Sequence, residues 1–418
     1  MISERLNCIM SNPNHHWAEF LPPTREAAIR RADAVKPIHY AKTRNFLDGG
    51  VTGLSPYLTH GVVTLPDVLR VLLDRELLGI DHKLVYEFGW REFYRHVWSH
   101  AGDEIFQSLH TGPLDESSYN NELPHDIRYA TTGIPVIDEA VRTLYATGTL
   151  HNHARMWLAS YIVHIRKVHW RVGADWLVAH LLDGDLASNH LSWQWVAGTG
   201  SHKPYLFNAE NVARYAPAQW HSLGSVIDRS YDELDSIARS AKSYDGMPKK
   251  IIQGSDLVVH EPVVSATPPN DLAWCEPTAA DLQLIAGRDV WLVHPWALRQ
   301  PPSGIADNSI AIGVYLREHH DAWPWSDTRW RWVDAAMSDV TPHRWSISVD
   351  QLAVALKSAT RVRSVDDLHV RHLVKNLAEL EPAPMLFSSV DRRCSSFSHW
   401  WKQTTRGLTQ AEELLQNS

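Results

Sequence analysis

The sequence predicts an α/β protein in two parts: a mostly helical N-terminal region and a small C-terminal domain built on a parallel sheet. Three observations predict it. Across residues 1–220, apolar residues recur at helical spacing, between prolines that open segments and glycines that close them. After residue 285, the short apolar runs DVWLVHPW and SIAIGVYL alternate with the helical stretches RWRWVDAAM and DQLAVALKS. Strand–helix alternation of this kind points to a parallel sheet. Residues 221–284 have neither character. They hold a charged helical stretch, DRSYDELDSIARSAKSY, then VVHEPVVSATPPND, which reads as extended and proline-broken. The expected organisation is therefore a helical domain over 1–220, a linker over 221–284 and an α/β domain over 285–418.

Taken in order, Pro22, Pro23 and Thr24 lead into the helix REAAIRRADAV, which ends before Pro37. A Gly-rich loop, DGGVTGLSPY, follows from Asp48 to Tyr57. Pro66 sits near the start of the next helix, where its missing N–H costs little. A further helix is expected from Lys83 to about His100. Gly133 and Pro135 open IDEAVRTLYAT, and Gly148 closes it. A long helix is expected over Asn152 to Val168, apolar on more than one face and so buried. In the last domain PMLFSS reads as a third strand. No internal repeat is found.

Composition excludes several classes. Of 418 residues, 44% are hydrophobic and 21% charged, a globular balance. The net charge of −8 means that any nucleic-acid binding needs a local positive patch, for which Arg44, Arg91, Arg142, Arg155, Lys203 and Arg214 are candidates. Cys8, Cys275 and Cys394 are too few for a disulfide framework or an iron–sulfur cluster, and their spacing does not suggest zinc. A reducing, cytoplasmic home is expected. The start, MISERLNCIM, has no apolar signal core, and no run is long enough to span a membrane. The unusual entries are 19 Trp and 25 His.

Three groups of residues could carry chemistry. In EFGWREFYRHVW, Glu87, Trp90, Arg91, Tyr94 and Trp98 share one stripe of a helix. One reading is an amphipathic helix whose arginine lies over aromatics. The other is a cleft wall, with Trp90 stacking a flat ligand and Glu87 bonding its edge. In LHNHARMW, Asn152 is placed to cap a helix, shares a face with Met156 at i,i+4, and has Arg155 beside it. His151 and His153 point apart on a helix, so no metal is expected there. In LLDGDLASNHLSWQW, Asp183-Gly184-Asp185 lacks the spaced oxygens of a calcium loop, and Trp193 and Trp195 are either core or stacking groups. GTGSHK is not a phosphate loop.

Together, WREFYRH, TGIPVIDEAVR, HNHARM and DGDLASNHLSWQW resemble the flavin-binding helical domain of the photolyase/cryptochrome family, over roughly residues 20–220. The resemblance implies bound FAD. Tyr40 and the run Thr52, Gly53, Leu54 and Ser55 match the elements that hold the flavin's pyrophosphate, through backbone and hydroxyl donors. Gly53 stands where an arginine is frequent. Arg91 matches a further cofactor contact. Arg155 and Asp183 match an ion pair beside the isoalloxazine, with Gly184 between the two acids. Asp185 matches the acid near the sugar and ring edge, and Asn189 the amide facing flavin N5.

The resemblance further implies a UV-damaged DNA partner. Glu87, Trp90, Asn152, Met156 and Trp195 match the pocket for a cyclobutane pyrimidine dimer flipped from the duplex, with Lys203 as a DNA contact. Glu87, Asn152 and Met156 would be catalytic. The (6-4) branch places histidines at the positions of Asn152 and Met156, so cyclobutane dimers are the expected substrate. Trp193 and Trp170 match two members of an electron-transfer chain. The third position falls on Ser117, Ser118 and Tyr119; Tyr119 or Tyr129 is the candidate substitute, or photoreduction takes another route. The implied activity is light-driven repair by electron transfer from reduced FAD. A cryptochrome-like photoreceptor and a flavin-free helical binding protein are the rival readings. The family's α/β domain ordinarily comes first, so the C-terminal domain is either that domain displaced or an unrelated appendage. An antenna pigment is unidentified, and a monomer is expected.

Overall fold

A computed structural model describes residues 17–245, 259–302 and 309–416. The chain forms two compact units whose segments interleave along the sequence. One comprises Trp17–Val35, Thr52–Ser99 and Val263–Ser418 and contains the main sheet; the other comprises Lys36–Val51 and His100–Pro262 and is helical.

In the sheet unit, helix α1 (Arg25–Ala34) begins at Thr24, whose hydroxyl accepts the Ala27 N–H. Helix α2 (Leu65–Leu73) has a full capping box: Thr64 and Asp67 satisfy one another's backbone N–H groups. Helix α3 runs over Lys83–Ala101. The sheet has five parallel strands: β1 (Asp289–Val293), β2 (Ile310–Leu316), β3 (Arg344–Ile347), β4 (Arg361–Val365) and β5 (Glu379–Glu381). Their order is β3-β2-β1-β4-β5, with Val290 opposite both Ile310 and Val362. The winding reverses at β1, as in a doubly wound fold. After Asp289, β1 is apolar and buried from Val290 to Val293, which suits a strand covered on both faces.

Many of the tryptophans serve this unit's core. Trp291, Trp325, Trp330, Trp332 and Trp345 are all buried. The Trp332 indole N–H donates to the Leu21 carbonyl at 2.9 Å, and its ring meets Tyr57 edge-on. Trp330, which donates to the Ser265 carbonyl at 3.0 Å, and Trp332 are thus both apolar filler and satisfied donor.

In the helical unit, α4 (Pro135–Thr147) carries proline in its first turn and ends at Gly148, φ 64°. Asp138 anchors the turn before it, accepting from Thr132 N at 2.9 Å, Thr132 Oγ1 at 2.7 Å and Gly133 N at 3.1 Å. Helices α5 (Asn152–Ser160), α6 (Trp170–His180) and α7 (Leu186–Ala197) pack with α4 around Trp157, Ile162, Leu144 and Leu177.

Three expectations need correction. The helix expected over Asn152 to Val168 is α-helical only to Ser160, and Tyr161–Ile165 widen to a π turn. Asn152 does not cap it; His151 does, its Nδ1 accepting the His153 N–H at 3.1 Å. PMLFSS is not a strand. Its Leu386 and Phe387 N–H groups bond instead to the buried Glu92 carboxylate, at 2.7 and 3.0 Å.

Candidate functional site

The residues singled out in the sequence fall into two sets, one in each unit. In the helical unit, the turn between α6 and α7 brings acids to the start of α7. Asp185 is the N-cap of α7, its Oδ1 accepting the Ser188 N–H at 2.8 Å. Asp183 takes both its oxygens to Arg155 Nη2, at 2.9 Å each, and Arg155 Nε also donates to the Leu150 carbonyl. Gly184 lies between them, its N–H bonded to Leu181 O. Asp183, Asp185 and Asn189 are all buried. Buried acids of this kind persist only when paired or otherwise held.

Asn189, one turn into α7, is oriented by a single bond: its Nδ2 donates to the Ala174 carbonyl of α6 at 2.8 Å. That uses one of the amide's two N–H donors and leaves Oδ1 as an acceptor. Asn152 and Met156 share a face of α5, with Asn152 Nδ2 3.3 Å from the Met156 sulfur. Trp195 is 41% exposed and leans on Tyr205, with centroids 5.3 Å apart. Lys203 is exposed, and Tyr40 is half-buried on the short Pro37–Thr43 helix.

Trp193 is buried against α6, where Gly173 leaves room for its ring one turn from Trp170. Trp170 donates from Nε1 to Ser108 Oγ at 2.9 Å. A cavity of about 380 Å³ is lined by Ser108, His110, Tyr119, His169 and Trp170 among others. Burial pushes the Tyr119 phenol up to about 12. Of the cationic candidates in this unit, Arg142 pairs with Glu139, whereas Arg214 lies exposed over the Tyr215 ring.

In the sheet unit, the stripe on α3 serves several neighbours. Arg91 donates to Thr59 Oγ1 at 3.2 Å and to the Ser55 carbonyl at 3.5 Å, which ties it to the Thr52–Ser55 loop. Leu54 is buried there, its N–H turned to Thr52 Oγ1. Glu87 pairs with Lys83 at 3.1 Å. Trp98 meets His369 edge-on. Trp90, read as a stacking platform, has one face already covered: Phe397 stacks on it at 4.1 Å and 8°. Tyr94 tilts against Trp90 at 5.5 Å.

Sequence reasoning missed Phe397. The signal was present, since Phe397, Trp400, Trp401 and Thr404 in SSFSHWWKQT follow helical spacing. It also missed the closure of the sheet's switch point, where doubly wound folds bind ligands. At the carboxyl ends of β1 and β4, His294 bonds to the Val365 carbonyl at 3.0 Å, and Trp296 stacks on His369 at 4.3 Å. Asp367 there receives Arg95 at 2.6 Å and His369 Nδ1 at 2.7 Å. Burial alone would raise the Asp367 carboxyl, but Arg95 and the histidines outweigh it and hold it far below the usual range. Among the described residues there is no cluster of three or more His, Cys, Asp or Glu able to hold a metal, and no helix long and apolar enough to cross a membrane.

Residues 84–243 match the family described as the FAD binding domain of DNA photolyase. The chain is 34% identical over 233 residues to a deoxyribodipyrimidine photo-lyase of a Synechococcus species, covering 51% of this chain and 44% of that protein. It is 34% identical over 187 residues to a cryptochrome DASH of Ostreococcus tauri, covering 43% of this chain and 34% of that one. The matches thus span less than half the length of these relatives. Among solved structures, a bacterial class III photolyase from Agrobacterium tumefaciens is 24% identical, with 54% of this chain and 56% of that chain covered and a TM-score of 0.42. The motifs on α3, α5 and α7 lie inside the matched segment, so the likeness to the FAD binding domain of DNA photolyase is carried by residues 84–243.

Proposed function

We propose that the chain binds FAD and uses light to split cyclobutane pyrimidine dimers in DNA. The observation that carries this reading is the buried polar group at the start of α7. Asp183, Asp185 and Asn189 are buried, Asp183 is paired with the half-buried Arg155, and Asn189 Nδ2 is anchored so that Oδ1 is left as an acceptor. The residues suit FAD. Asn189 Oδ1 would accept from a ring N–H, and the Arg155–Asp183 pair would offer fixed charge.

FAD, when bound, would supply light absorption and the transferable electron. The chain's own residues do the rest. Arg155 and Asp183 hold one another in place, so neither side chain has to reorganise during electron transfer. Asn189 accepts a proton-bearing nitrogen and favours the forms that carry one. Trp195 offers an exposed indole for base stacking, and Asn152 and Met156, on one face of α5, would contact the lesion. Extruding a damaged base costs less than extruding a sound one, which contributes to selectivity.

A second reading, a photoreceptor without repair, is favoured by one observation: Phe397 occupies a face of Trp90. Binding to a dimer-containing oligonucleotide in the dark separates the two. The repair reading predicts tighter binding than to undamaged DNA, with log affinity falling linearly in log salt. Equal affinity for damaged and undamaged strands would favour the photoreceptor.

A further inference from the structure

The helical unit holds a second space, at the opposite end of α7 from Asp185. The 12 residues of that helix separate the two, roughly 18 Å. There the largely exposed segment 108–116 walls the cavity of about 380 Å³, a size that suits a small molecule. Its inner lining is apolar, with Val163, Trp170 and Ala197 all buried.

The walls are pinned. The Leu109 N–H donates to Gln194 Oε1 at 2.9 Å, and the His110 N–H donates to the Thr199 carbonyl at 3.0 Å. The Trp170 N–H is bonded to Ser108 Oγ, and the Tyr119 hydroxyl meets the Leu114 backbone. The cavity is therefore pre-formed, which lowers the ordering cost of filling it.

Two properties of the lining select a ligand. Its rings are electron-rich: the Trp170 indole and the Tyr119 phenol, with His169 edge-on to Tyr119 and tilted at 34° to Trp170. Its formal charges are all negative. Asp115 and Glu116 line the cavity, and no Lys or Arg does. Among the described residues Asp115 has no cation within ion-pair distance, and Glu116 has His169 Nε2 alone, at 3.7 Å. Aromatic faces attract a cation through their quadrupoles, and carboxylates bond to its N–H groups, so both properties point to one ligand charge. A phosphate or carboxylate would be repelled by both acids.

We propose that this cavity binds a planar aromatic cation, such as an amidine or a protonated aromatic amine. Its ring lies against Trp170 and Tyr119, and its charged edge meets Asp115 and Glu116. The site does not rest on the flavin reading, since none of its lining residues belongs to the group at the start of α7.

The test is a calorimetric titration of the full-length protein with p-aminobenzamidine and, separately, with p-aminobenzoate, its near-isosteric anion. The amidine should bind at one saturable site. The benzoate, and the amidine with the double variant Asp115→Asn, Glu116→Gln, should each bind roughly tenfold more weakly or worse, as loss of charge-assisted hydrogen bonds requires. Thr111→Trp, at an exposed position of the lining, should fill the cavity and abolish amidine binding. All three substituted positions are exposed, so the unfolding midpoint in urea should stay at the wild-type value. Equal affinity for the two probes would overturn the proposal. So would undiminished amidine binding in either variant, or no amidine binding to the wild-type protein at millimolar concentration.

Discussion

Asn189 shows how one hydrogen bond decides what a side chain offers. One of its N–H donors is fixed on the Ala174 carbonyl, which orients the amide and leaves Oδ1 as the candidate acceptor. Asn189→Asp removes the donor and sets a carboxylate oxygen against that carbonyl, which keeps only its helical bond. The substitution should destabilise the protein by about 1–3 kcal/mol, readable by denaturant unfolding. Trp195 is the opposite case, exposed and without structural duty in the core. Trp195→Ala should weaken binding of a dimer-containing oligonucleotide by roughly 5- to 150-fold and leave flavin content unchanged, as loss of one base–aromatic stack requires. Equal binding by the variant would remove Trp195 from the DNA surface. At this scale, residue types at fixed helical spacing placed Asn152 with Met156 and Asp183 near Asn189. The approach of Arg31 to Gly53 was not legible, because the two lie on different elements and only tertiary structure brings the guanidinium there.

At the scale of elements, α3 serves the C-terminal segment as much as any ligand. Trp401 lies against the helix at Gly89, where a Cβ would come within 2.5 Å of its ring. Glu92 binds the Leu386 and Phe387 N–H groups, and His96 accepts the Cys394 N–H at 3.0 Å. Gly89→Leu should therefore cost about 1–3 kcal/mol through overpacking, with the midpoint of urea unfolding as the readout. An unchanged midpoint would mean that the 397–404 helix is not firmly seated on α3. The helix start at Lys83 was legible from its periodicity. The failure of PMLFSS to form a strand was not, because a buried carboxylate replaced the expected ladder partners. Strands β3 and β4 were missed for a related reason. RWSI and RVRSV alternate charge with apolar residues, and their burial comes from the surrounding sheet.

For the molecule as a whole, the buried histidines set the pH response. Burial holds His164 down at about 4 and His320 at about 3, against an ordinary 6.5. Both stay neutral in the fold and take up protons when unfolded. Their contribution is complete above pH 6.5 and is lost as pH falls toward those values, at up to about 1.4 kcal/mol per unit for each histidine. Glu92 acts in the other direction: burial pushes its carboxyl up to about 7, so between 4.5 and 7 the folded state holds a proton that the unfolded state releases. Two histidines outweigh one carboxyl, so Tm should fall from pH 7 to pH 5, and more steeply in Glu92→Gln. A Tm that holds level or rises over that range would contradict this balance.

The parallel-sheet character of the last domain was legible from strand–helix alternation, but the interleaving of chain segments between units was not. Linear composition carries no record of which distant segments pack together.

The central claim is that this chain repairs cyclobutane dimers with light, and one measurement tests it most directly. Flavin-loaded protein under reducing conditions is mixed with oligonucleotides carrying either a cyclobutane dimer or a (6-4) product, illuminated with blue light, and the intact lesion is quantified against a dark control. The account predicts light-dependent loss of the cyclobutane dimer and persistence of the (6-4) product. A cyclobutane dimer left intact by illuminated, reduced, flavin-bearing protein would contradict it.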